Sequence, residues 1–220
     1  MNRLATKDNS YRELAKIPAD GVTLEGMLVL PEHARGVVLF AHGSGSSRLS
    51  PRNNFVAQNL QDAGFGTLLT DLLTKEEDAT YENRFNMDLL TWRLERATQW
   101  VTEQPRCASL AVGYFGASTG AAAALNAAAT LGSSIGAVVS RGGRPDLTME
   151  ALPSVQSPTL LIVGSLDDVV IELNRQAYAK LKIEKHLAIV KGATHLFEEP
   201  GTLQEVARLA AAWFKRHLGK

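Results

Sequence analysis

The chain has 220 residues, 23 Lys and Arg against 23 Asp and Glu, and a single cysteine, Cys107. Balanced charge excludes the basic footprint of a nucleic-acid binder or of a protein held on anionic membranes, and one cysteine excludes an internal disulfide and a cysteine-built zinc centre. The first residues, MNRLATKDNSYREL, lack the apolar core of a signal peptide, and no stretch is apolar enough to span a bilayer, so the expectation is a soluble, cytoplasmic protein.

Taken in order, residues 1–10 are polar and read as a flexible tail, followed by one domain over 11–220. Tyr11–Pro18 and Val22–Leu30 read as an antiparallel hairpin turned at Asp20-Gly21. Pro31–Arg35 is a turn. Val37–Ala41 is a continuous apolar run, the pattern of a strand buried on both faces. It leads into the loop His42-Gly43-Ser44-Gly45-Ser46-Ser47. Ser50-Pro51 then reads as an N-cap with proline in the first turn, opening a helix over about 51–63 that stops at Gly64.

Thr67–Thr70 gives another strand, and Leu72–Phe85 a polar, acidic rim loop. Met87, Leu90, Leu94, Ala97 and Val101 fall on one helical face, and Pro105 ends that helix. Leu110–Phe115 is an apolar strand, and the alanine-rich run from Thr119 to Leu131 is a helix. Strands follow at Ile135–Ser140, Pro158–Val163 and His186–Val190, with a helix over about 172–182 before the last of them. Thr202 and Glu205 have the spacing of a capping box for a final helix to about 217. Strand and helix alternate after the hairpin, which demands a mostly parallel sheet covered by helices on both faces.

In such a sheet, ligands bind beyond the carboxyl ends of the strands. Loops far apart in sequence therefore converge on one rim. Gly116-Ala117-Ser118-Thr119-Gly120 fits G-x-S-x-G between a strand and a helix, which puts Ser118 on a sharp turn with its hydroxyl outward. A serine hydroxyl needs a base. Of the five histidines, His33, His186 and His217 read as surface residues. His42 reads as ordering its own loop, and His195, in Gly192-Ala193-Thr194-His195 after the last strand, as the base. The imidazole needs a carboxylate partner. Asp167 and Asp168 both follow the Pro158–Val163 strand, and periodicity does not choose between them; Asp146 ranks third. Backbone amides of Thr119 and of Ser44, with Gly45 second, are expected to form the oxyanion hole. The His42–Ser47 loop lacks the Lys-Ser/Thr ending of a P-loop.

With these residues in the order Ser–Asp–His, the chain resembles the α/β-hydrolase fold, and in detail the dienelactone hydrolase family, the compact branch without a large lid. The resemblance covers about residues 11–217. It rests on HGSG at 42–45, GASTG at 116–120, and Gly164-Ser165-Leu166-Asp167-Asp168-Val169-Val170, which is similar to a family G-x-x-D-x-x-V pattern and implies Asp167 as the acid. Dienelactone hydrolase proper uses cysteine in the elbow; here it is Ser118, and Cys107 lies before the strand and cannot replace it.

The expectation is a serine hydrolase of small or short-acyl carboxylic esters, acting through an acyl-enzyme with no metal or organic cofactor. Its partner is a small-molecule ester, with no nucleic acid and no membrane, on a monomer or small homo-oligomer. An acyltransferase, a lactone hydrolase of the dienelactone type and a non-catalytic binding protein are the alternatives. Arg141 and Arg144, flanking two glycines at the same rim, are candidates for binding a substrate carboxylate; an Arg–Asp146 pair bracing the loop is the competing expectation.

Overall fold

A computed structural model describes residues 10–219. The expected tail lies outside the described residues except for Ser10. Strands β1 (Tyr11–Ala19) and β2 (Val22–Leu30) pair antiparallel. Asp20 and Gly21 join them, both at positive φ, the backbone a two-residue hairpin favours.

The remaining strands are β3 (Val37–Ala41), β4 (Gly66–Thr70), β5 (Val112–Ala117), β6 (Ile135–Arg141), β7 (Thr159–Gly164) and β8 (Lys185–Val190). One sheet carries all eight in the order β1-β2-β4-β3-β5-β6-β7-β8. Pairing is antiparallel as far as β2–β4 and parallel from β4 to β8. The apolar runs at β3, β5 and β7 are fully buried, as strands covered on both faces must be.

Helices α1 (Pro51–Asp62) and α6 (Thr202–His217) cover one face, closing a core around Phe40, Phe65, Phe115, Val139 and Phe214. On the other face α3 (Met87–Glu103) and α4 (Thr119–Leu131) close a core around Leu39, Tyr114, Val138 and Leu161. A further helix, α5 (Asp168–Lys180), packs against β7 and β8. The chain runs outward from β3 in both directions: β4 lies on one side of it and β5 on the other. That reversal leaves a crevice at the carboxyl ends of β3 and β5, where ligands settle in open α/β sheets.

Four local expectations need correction. The strand expected at Leu110–Phe115 begins at Val112 and runs to Ala117, so it leads directly into Ser118. The rim segment 72–85 is not all loop: α2 (Lys75–Asp78) and a 3₁₀ turn (Tyr81–Phe85) lie within it, and the capping box forms there, between Thr74 and Glu77. At Thr202 no box forms. Gly201, left-handed at φ 83°, caps α6, the Thr202 hydroxyl donates to Glu199 O at 2.8 Å, and Glu205 is held by Arg208. The helix expected at 172–182 begins at Asp168, four residues early. Ser50 caps α1 as expected, accepting from Asn53 N at 3.3 Å.

Candidate active site

Ser118 sits between β5 and α4 with φ 51° and ψ −120°, one of four non-glycine residues at positive φ among those described. The turn is held from both sides. Ser118 N donates to Arg141 O (3.2 Å), and Ser118 O accepts from Ala121 N and Arg144 N, each at 3.1 Å. The flanking glycines are sterically required: a Cβ at Gly116 would lie 2.4 Å from Ala121 Cα, and one at Gly120 2.2 Å from Ala41 O. Ser118 itself is half-buried, and backbone strain maintained by surrounding contacts is typical of functional positions.

His195 comes from the loop after β8. Its Nε2 is 3.3 Å from Ser118 Oγ, and its Nδ1 is 2.7 Å from Asp167 Oδ2. That loop is stitched to the loop after β7, which carries Asp167. Gly192 N donates to Ser165 Oγ (2.8 Å) and Leu166 N to Ala193 O (2.9 Å). Gly164 allows the approach, since a Cβ there would lie 2.3 Å from Ala193 O. Thr194 is tied to Glu199 through its amide and hydroxyl, at 3.1 and 2.6 Å. The imidazole is therefore held by its own loop and by the Asp167 loop together. Asp168 is the exposed first residue of α5, with no contact to His195. Asp146 is engaged elsewhere, by Arg144.

The His42–Ser47 loop comes close enough to Ser118 that a Cβ at Gly43 would lie 3.1 Å from Ser118 Cβ. Ser44 and Thr119 line one small cavity, about 10 Å³, together with Gly43 and Gly45. Neither the Ser44 nor the Thr119 amide has a hydrogen-bond acceptor among the described residues. Two undedicated donors thus flank Ser118, one from each side of the crevice. His42 is buried and does order its loop: Nδ1 donates to Gly43 O (3.0 Å) and Nε2 accepts from Leu72 N (3.0 Å). The neutral imidazole makes both bonds.

Burial pulls the His42 pKa below its ordinary 6.5. The unfolded chain then takes up the proton first, so this contribution to stability is complete above about pH 6.5 and is lost as pH falls below it. Between pH 7 and 5 the wild-type urea midpoint is expected to drop, and to drop less steeply in His42→Gln; parallel slopes would refute this.

The two arginines part company. Arg144 forms a two-pronged pair with Asp146, Nε to Oδ1 at 2.8 Å and Nη2 to Oδ2 at 2.7 Å, and that pair raises its pKa. Arg141 is buried, 7% exposed, with no acceptor on its guanidinium among the described residues. Among the other histidines, His217 is not a plain surface residue: its ring lies 4.5 Å from that of Trp213, and its side chain is 10% exposed. A cleft of about 770 Å³ borders the His42 loop on the side of β2 and α2 and contains none of Ser118, Asp167 or His195. Sequence reasoning missed it because its wall is the Leu72–Phe85 segment. Arg48, which lines it, holds both Glu25 and Asp71.

Residues 24–218 match the model of the dienelactone hydrolase family. The crystal structure of a dienelactone hydrolase from Anabaena variabilis superposes with a TM-score of 0.93 at 53% identity, over 95% of this chain and 99% of that one. Est1E from Butyrivibrio proteoclasticus shares the fold at TM-score 0.82 with 14% identity, over 94% and 99% of the two chains. A Mycobacterium tuberculosis protein provisionally named a phosphoribosyl transferase is 57% identical over 206 residues, 94% of this chain. The chain spans only 46% of that protein, about half the length of the curated relatives it matches. No described helix is long and apolar enough to cross a membrane.

Proposed function

We propose that this chain, which belongs to the dienelactone hydrolase family, is a serine hydrolase that cleaves small or short-acyl carboxylic esters. The observation that carries the reading is the continuous relay Ser118 Oγ–His195 Nε2 (3.3 Å) and His195 Nδ1–Asp167 Oδ2 (2.7 Å). His195 takes the Ser118 proton as the hydroxyl oxygen attacks the ester carbonyl. Asp167 keeps the ring proton on Nδ1, so that Nε2 faces the serine, and stabilises the imidazolium that forms. The Ser44 and Thr119 amides receive the oxyanion. His195 then protonates the departing alcohol, leaving Ser118 acylated. A water molecule, deprotonated by His195, attacks that acyl group and releases the acid with Ser118 restored.

The family model supports hydrolase chemistry; the choice of ester and the acyl-enzyme are our assignment. An acyltransferase would share the first half-reaction and resolve the acyl-enzyme with an alcohol or amine. Phosphoribosyl transfer is the activity named for a protein less than half of which this chain matches.

Incubation with a fluorophosphonate probe is expected to modify the protein once, at Ser118, and to abolish turnover of p-nitrophenyl acetate in proportion. Labelling elsewhere, or full turnover after labelling, would defeat the reading. Added alcohols that divert product into new esters would favour the transferase.

A further inference from the structure

The small cavity shared by Ser44 and Thr119 has a charged side chain in its wall. Arg84, from the 3₁₀ turn Tyr81–Phe85, lines the same space of about 10 Å³, room for one water-sized group. Arg84 binds Asp78 side-on: Nε donates to Oδ1 at 2.8 Å and Nη2 to Oδ2 at 2.9 Å. The same two nitrogens donate to Asp78 O, at 3.2 and 2.9 Å. Nη1 is left over. It has no acceptor among the described residues, and it is the nearest atom to a Cβ built at Gly45, 3.6 Å away. The free prong therefore lies against the loop that supplies the Ser44 amide. Asp78 lines the cavity as well, but both its carboxylate oxygens are committed to Nε and Nη2. A second group in the wall is unsatisfied. Thr119 is 2% exposed, and its Oγ1 is buried without a partner. Buried hydroxyls are ordinarily hydrogen-bonded, so one left single beside a polar cavity marks room for a guest.

The rim that carries Arg84 is tied down before any substrate arrives. Asn83 Nδ2 donates to Glu77 O at 2.8 Å, and Glu77 closes the capping box with Thr74 and accepts from Arg93 Nη2 of α3 at 2.5 Å. The facing loop is joined to the same rim through His42, whose Nε2 accepts from Leu72 N at 3.0 Å. Leu73 and Leu90, both buried, add apolar surface to the cavity. A charge acts more strongly across such walls than through water. Donors fixed in advance in a dry site are the ones that stabilise charge as it develops.

We propose that Arg84 is a catalytic residue of the oxyanion hole, its Nη1 donating to the substrate oxygen together with the Ser44 and Thr119 amides. As Ser118 Oγ bonds to the carbonyl carbon, the carbonyl π electrons move onto that oxygen. They return when the bond to the departing alcohol breaks, and Arg84 keeps its proton throughout. The assignment rests on the serine-hydrolase reading above.

Arg84→Met is expected to lower kcat on p-nitrophenyl acetate about 100-fold with KM within about two-fold. Asp78→Asn, which breaks the ion pair and leaves the guanidinium in place, is expected to cost less than about five-fold. Equal losses in the two variants would make Arg84 a brace for the rim, and Arg84→Met activity within about three-fold of wild type would remove it from the site; both overturn the proposal. A second measurement reads the charge directly. A trifluoromethyl ketone labelled at its carbonyl carbon adds to Ser118 Oγ as a hemiketal, and the carbon NMR shift titrates as the hemiketal oxygen ionises. Arg84→Met is expected to raise the midpoint of that titration by about two pH units, the same 100-fold read as proton affinity. A hemiketal that forms in both proteins and ionises at the same pH would refute the role of Arg84 alone. A wild-type protein that forms no hemiketal and takes no fluorophosphonate label would refute the hydrolase reading, and the role of Arg84 with it.

Discussion

Replacing Ser118 with alanine is expected to lower kcat on a short p-nitrophenyl ester by about 10⁵-fold, with the fold retained. The size follows from what the change removes. Without the hydroxyl no acyl-enzyme forms, and His195 and Asp167 lose the reaction they serve, so the loss approaches that of the whole relay. It does not go further, because the Ser44 and Thr119 amides still flank the crevice and retain their share of oxyanion stabilisation. Stability should hold, since the turn is fixed by main-chain bonds to Arg141, Ala121 and Arg144 rather than by the hydroxyl. Circular dichroism and a melting curve check the fold, and turnover under excess enzyme checks the rate. Activity within ten-fold of wild type would exclude Ser118 as nucleophile.

Asp167→Asn is expected to cost about 10⁴-fold in kcat near neutral pH, and Asp168→Asn less than two-fold. An asparagine in place of Asp167 supplies no charge to stabilise the imidazolium. If its amide NH₂ faces Nδ1, it also reverses the tautomer and puts the ring proton on the nitrogen facing Ser118. Asp168, exposed at the start of α5, touches neither partner. The two residues are adjacent and chemically identical, so the contrast isolates position from composition. Equal losses in the two variants would refute the assignment of Asp167.

Much of this was legible in the residues. The continuous apolar run at 37–41 read as a strand covered on both faces, and the alternation after the hairpin demanded a mostly parallel sheet. Glycines two positions either side of Ser118 signalled a turn that admits no side chain, and the contacts at Gly116 and Gly120 supply the reason. Other features were not legible because they depend on contacts distant in sequence. Asp167 and Asp168 are separated only by where α5 begins and how the β8 loop folds against Gly164. Thr202 and Glu205 satisfy the spacing of a capping box, yet a left-handed Gly201 turns the Thr202 hydroxyl back to Glu199. Arg144 meets a partner two residues away, whereas the neighbours of Arg141 are Arg52 and Phe197, which reach it from α1 and from the loop before α6 respectively.

The strands that serve the relay differ in how firmly they are held. Ser118 follows β5, fifth in the sheet and bonded on both sides, while the imidazole of His195 follows β8, an edge strand, which has one neighbour and is largely half-exposed or exposed. Rims of sheets fray at far lower free energy than interiors. Warming or mild denaturant would therefore carry off the base while the serine remains seated on an intact interior, and the molecule would fall silent before it melted.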